Sequence, residues 1–150
     1  MFRSPVVLLL LILLCLTLAC KTYTAGLQQS TARADETVAV TALHSISLAQ
    51  QTYSVSNNGR FGTFPQLVKS GSLDERFNAD SPKLKGYVLT LTVVPKSAES
   101  PADAYGVNAD PVGAGPQAGR HLYLDSVSGL IHVNETKPAT VDDPVVATSQ

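Results

Sequence analysis

The hydrophobic rhythm of the chain changes twice, and each change marks a different kind of segment. The first segment, Val6 to Ala19, is apolar and uncharged, with Arg3 before it and Lys21-Thr22 just after it. A basic start followed by a short apolar region has the layout of a secretory signal, and the run falls short of the about 20 apolar residues a spanning helix needs. Lys21 to Ala34 is polar and weakly patterned, which reads as a tether. A helical rhythm follows. Asp35 suits an N-cap, and Val38, Ala42, Ile46, Ala49 and Tyr53 recur at helical spacing, with Leu43 widening the stripe. Ser45, Ser47, Gln50, Gln51 and Thr52 fall on the other faces, so the pattern predicts an amphipathic helix packed on one side. Asn57-Asn58-Gly59 ends it, since these residues tolerate the left-handed conformation.

A connecting segment and then a period of two come next. Thr63 and Gln66 have capping-box spacing, Pro65 lies in a first turn, and Gly71 closes a short helix. Phe61, Phe64, Leu67, Leu73 and Phe77 anchor this segment to the core rather than forming a ligand box. From Gly86, Tyr87, Leu89, Leu91 and Val93 alternate with Val88, Thr90, Thr92 and Val94, which predicts a strand with one strongly apolar face. Ala104 to Ala109 is a second strand with Tyr105 and Val107 inward, and His121 to Val133 is a hairpin. Its buried face must hold Leu122, Leu124, Ile131 and Val133, so Leu122 pairs with Ile131 or with Val133. Either register leaves His121, Tyr123 and His132 on the other face, facing solvent. Glu135 to Gln150, with Pro138, Pro144 and paired aspartates, reads as a disordered tail.

Together these segments predict an α+β domain over 35–134, with one amino-terminal helix packed on a three- to four-stranded antiparallel sheet. The apolar start reads as a signal peptide over 1–19, and 20–34 as Cys20 followed by a polar tether.

Composition narrows the functional classes. The 150 residues carry a net charge of −1, which gives no general attraction to nucleic acid. There is no tryptophan, so the core is built from Leu, Val, Ile and Ala with selected Tyr and Phe. Of the two cysteines, Cys15 lies inside the apolar run, so cleavage before Cys20 leaves one cysteine and no intramolecular disulfide.

No G-x-S-x-G elbow, H-E-x-x-H pair or phosphate-binding lysine loop is present. The glycine-rich 113–119 precedes a strand and contains Pro116, whereas a dinucleotide fingerprint opens a helix. Asp74 and Glu75 are adjacent and do not face one another as a carboxylate pair. His121 and His132 come opposite each other in the tighter hairpin register, but only Asp125 is placed to join them. Two or three ligands of that kind fall short of a structural site. His44 lies on the helix flank. The sequence predicts no enzyme activity, no cofactor and no metal.

Leu16-Thr17-Leu18-Ala19-Cys20 resembles the lipobox of bacterial lipoproteins, with Thr17 where that family most often has leucine. The resemblance implies a diacylglyceryl group on the Cys20 thiol, cleavage before Cys20 and acylation of the new amino terminus. Several acyl chains hold a protein to a bilayer stably where one does not. Residues 42–77 resemble the end of the first helix and the following loop of type IV pilin-like proteins, including type II secretion pseudopilins. The matching features are Tyr53, Asn58-Gly59-Arg60-Phe61, Leu67-Val68, Gly71 and Leu73, and Lys85–Val93 and His121–Val133 resemble that family's strands. Those proteins start with a basic leader ending in glycine and an apolar helix with a glutamate near its start. This chain shows neither.

The combined expectation is a lipid-anchored envelope protein, on the outer membrane and facing the periplasm or exterior. It acts as a binding or scaffold component with partners in secretion or pilus assembly. The choice of membrane follows Lys21, which stands where an aspartate retains many lipoproteins at the inner membrane. The alternative is a true minor pilin or pseudopilin with an atypical leader.

Overall fold

The structure, a computed structural model, describes residues 5–97, 103–113 and 118–146, with side chains from 27 onward. It has α+β architecture, with one long amino-terminal helix against a five-stranded antiparallel sheet.

Helix α1 runs from Pro5 to Ser56 without a break. At 1.5 Å per residue its 52 residues extend about 78 Å. It therefore does not begin at Asp35, and the expected tether is helical in backbone. Apolar patterning is weak over 21–34, but Ala, Leu, Gln and Arg there favour the helix by propensity, and no proline interrupts it. Packing, in contrast, does begin near Asp35. Residues 27–34 are exposed apart from a half-buried Ala32, whereas Ala39, Ala42, Leu43, Ile46, Ala49 and Gln50 are buried. The buried stripe is rotated from the expected one, so that Val38 and Tyr53 lie at its margins. The helix stops as predicted: Asn58 and Gly59 have φ of 57° and 78°, and Gly59 N–H donates to Ser54 O at 2.9 Å.

The connecting segment contains α2 (Phe64–Lys69) and a single 3-10 turn, Glu75–Phe77. Gln66 Oε1 accepts from Thr63 N–H at 2.8 Å across the start of α2, and Gly71 follows with φ 76°. Phe64, Leu67 and Phe77 are buried, and Phe61 packs edge-on against Tyr105 with ring centroids 4.7 Å apart.

The sheet order is β1 (Lys83–Leu84), β2 (Tyr87–Val94), β3 (Ala104–Pro111), β4 (His121–Asp125) and β5 (Ile131–Asn134). It has more strands than expected because the two-residue β1 is too short to show a period in sequence. Tyr87 and Leu89 from β2, Tyr105, Val107 and Ala109 from β3, and Leu122 and Leu124 from β4 face the helix and are buried. The hairpin takes the wider of the two allowed registers, with Leu122 opposite Val133 and Leu124 opposite Ile131.

Residues 135–146, expected to be disordered, fold back on the sheet. Val133 N–H donates to Pro144 O at 2.8 Å and Val146 N–H to Ile131 O at 2.7 Å, so the segment lies along the outer edge of β5. Ala139 is 2% exposed, and its carbonyl accepts from Asn108 Nδ2 at 3.0 Å. Pro138 and Pro144 do not prevent this, since a proline is tolerated at a sheet edge where its missing N–H is not needed.

Candidate functional site

Cys20, the expected lipid attachment point, lies within the backbone of α1, and its side chain falls outside the described residues. Among the described residues no helix is long and apolar enough to cross a membrane.

The histidines are placed differently from expectation. In the observed register His121 faces Asn134 and His132 faces Tyr123, so the two imidazoles are not opposed. His121 Nδ1 lies 2.6 Å from Asp110 Oδ1 on β3, and because a carboxylate only accepts, Nδ1 carries the proton. His132 is not solvent-facing. It is 6% exposed because the 135–146 segment covers it, and its Nδ1–H donates to Asp143 O at 2.7 Å. Its Nε2 is buried with no hydrogen-bond partner. Among the described residues no group of three or more His, Cys, Asp and Glu side chains comes together. His44 is exposed on α1.

Asp125, the third candidate ligand, is consumed by the β4–β5 turn. Its Oδ1 accepts from Val127 N–H at 2.7 Å and Ser128 N–H at 2.8 Å, and its Oδ2 from Ser128 Oγ at 2.8 Å. Burial pushes this carboxyl upward, but the bonds from Ser128 and Val127 outweigh it and hold the group below the usual carboxylate range. Asp74 is likewise committed, through a two-point contact with the exposed Arg76.

Charged contacts missed in the sequence join α1 to the start of β4. Arg120 Nε lies 3.2 Å from both carboxylate oxygens of Glu36, and its terminal nitrogen is 2.5 Å from Oε1. Beneath the bridge, Tyr87 Oη donates to Arg120 O at 2.9 Å. Desolvation first, and the Glu36 charge second, push the Tyr87 phenol up to about 12. Glu36, Arg120 and His121 line an open groove of ≈ 1010 Å³ between α1 and Pro111, Gly113 and residues 118–121. Arg33 and Glu135 line it as well, and no described hydroxyl or thiol bonds the other ring nitrogen of His121. These pairs lie 84 and 11 residues apart in sequence, and only the fold reveals them.

Gln50 was also misplaced by the sequence pattern. It is fully buried, with Nε2 donating to Gly62 O at 2.7 Å and Oε1 accepting from Gly62 N–H at 2.9 Å. One side chain thus fastens the loop after α1 to the helix. The signal was present in the spacing, since Gln50 follows Leu43 and Ile46 by seven and four residues.

Comparison with protein-family models, with curated proteins and with solved structures gave no match.

Proposed function

We propose that the protein is a bacterial envelope lipoprotein, anchored through acylated Cys20, whose pilin-like domain serves as a non-catalytic binding or scaffold component. The observation that carries this reading is the sequence Leu16-Thr17-Leu18-Ala19-Cys20 at the end of an uncharged apolar run. The α+β fold is compatible with it. Residues 27–34 are exposed apart from Ala32, with Gln29 and Arg33 flanking the groove, so the helix amino-terminal to them would hold the sheet away from the bilayer as a stiff spacer. The outer membrane is the proposed address, and components of secretion or pilus assembly are the proposed partners. Fold does not by itself fix a function; the resemblance over residues 42–77 supplies the partner class.

One observation favours the alternative, a minor pilin or pseudopilin subunit. Helix α1 passes through residue 20 unbroken and joins the apolar run to the packed stripe. A subunit retaining that run would use it as a working helix.

Metabolic labelling with palmitate separates the two. The lipoprotein reading predicts label in the wild-type chain, none in Cys20→Ala, and accumulation of that variant as uncleaved precursor. Equal processing and membrane association of both forms, without label, would overturn it in favour of the pilin-type subunit.

A further inference from the structure

The two edges of the sheet are finished differently. The β5 edge is closed by the chain's own residues 144–146, which bond Ile131 and Val133 and bridge His132 through Val145. At the opposite edge closure stops early. Strand β1 and Pro82 cover β2 only as far as Leu89, whose N–H donates to Pro82 O at 2.9 Å. Backbone groups in an antiparallel ladder point alternately to the two sides. With Leu89 directed toward Pro82, Leu91 and Val93 are directed the same way, while Thr90 and Thr92 bond β3. No described residue bonds the Leu91 or Val93 amide on that side.

Natural edges are normally blunted by a charge, a proline or a bulge. Thr90–Val94 has none of these: it is uncharged, regularly paired with β3 throughout, and exposed at Thr90, Thr92 and Val94.

We propose that this edge pairs antiparallel with the same edge of a second copy, across a two-fold axis at Thr92. The stretch is complementary to itself in three respects. Leu91 falls opposite the partner's Val93 and exchanges both hydrogen bonds with it, and the symmetric pair does the same, so every outward amide and carbonyl of Leu91 and Val93 is satisfied. Thr92 meets the partner's Thr92 and Thr90 meets the partner's Val94, so no like charges are opposed. The ladder then ends at Pro95, which has no N–H to offer, at the point where Leu89 is already occupied by Pro82. Backbone pairing accepts any extended strand, and a second copy offers one that is uncharged, five residues long and stopped by the same Pro95. The pairing does not depend on whether Cys20 is acylated.

The register gives a specific cross-link. Thr92 and the partner's Thr92 form a non-hydrogen-bonded pair, with Cα atoms about 4.5 Å apart, inside disulfide range. Thr90 and the partner's Thr90 are four residues out of register and beyond it. Full-length protein in detergent carrying Thr92→Cys should form a covalent dimer under mild oxidation, Thr90→Cys should not, and the parent chain controls for Cys15 and Cys20. Thr92→Lys, which opposes two cations on an exposed position, should weaken self-association by about tenfold in sedimentation equilibrium while leaving circular dichroism unchanged. Equal cross-linking at both positions would overturn the register. A monomer at all concentrations with no Thr92→Cys dimer, or a dimer indifferent to Thr92→Lys, would overturn the interface.

Discussion

The two faces of the sheet are both packed, but by different means. The inner face is covered by α1 and the connecting segment through Leu, Ile, Val, Ala and aromatic side chains spread over the whole domain. The outer face is covered over a smaller area by residues 135–146, and its contacts are largely polar. There Asn108 bonds Ala139, His132 bonds Asp143, and the Tyr123 ring lies over Gly106, where an added Cβ would stand 2.7 Å from the phenol oxygen. The inner face is held mainly by burial of apolar area, which is cooperative. The outer face is held by a few directional bonds, one of them from the Asn134 amide to the Asp143 carboxylate, which also accepts from Thr140 within the segment. Disturbing the first should unfold the domain, and disturbing the second should release only the tail.

The largest effect is expected inside. Leu43→Ala, at a fully buried position on α1, should cost about 2–5 kcal/mol and lower the midpoint of chemical denaturation for the whole domain. A loss confined to the carboxy-terminal segment would contradict the assignment of the core. Next comes Gln50→Leu, which keeps the volume but leaves the N–H and C=O of Gly62 without partners. It should cost about 1–3 kcal/mol, with amide exchange rising first in residues 57–63.

Alkaline titration tests the seam between α1 and β4. The Tyr87 phenol is raised to about 12 in the fold, so its contribution is complete below the ordinary tyrosine value and lost as pH climbs through about 12. Tyrosinate absorbance should therefore show Tyr87 titrating late and together with unfolding, and Tyr87→Phe should remove that late step.

The smallest effect is expected outside. The Asp143 carboxyl is held below the usual range by the Asn134 amide first and by Thr140 second. A depressed carboxyl contributes stability above its ordinary value of about 3.9, and that contribution is lost as pH falls through its value in the fold. Acidification below about pH 4 should raise amide exchange at Val133 and Val146 before the core responds. Asp143→Ala should produce the same local release at neutral pH with little change in the global transition. If the whole domain melted with the tail, the two faces would be one cooperative unit.

The inner face was legible in sequence because it is periodic. Alternation in β2, β3 and the hairpin fixed which side chains point inward, and Leu122, Leu124, Ile131 and Val133 reduced the hairpin to two registers. Choosing between those registers depended on Asp125 and the turn it organises, which carry no period. The α1 stripe was found but rotated, because Gln50 is polar and its partner, the Gly62 backbone, has no signature in a side-chain pattern. The outer face was invisible for a similar reason. Residues 135–146 are rich in proline and aspartate, and what orders them is contact with Asn108, His132 and Asn134, which lie far along the chain. The strand β1 was too short to register at all. Of the candidate site, Cys20 was readable as a local motif, whereas the Glu36–Arg120 and Asp110–His121 pairs join distant positions and needed the fold.

The intact mass of the mature protein extracted from membranes tests acylation at Cys20 most directly. The account predicts a chain beginning at Cys20, heavier than its amino-acid sequence by a diacylglyceryl group and an amide-linked acyl chain. A mass that retains Val6 to Ala19 and carries no lipid would contradict it and make the apolar run part of a working pilin-type helix.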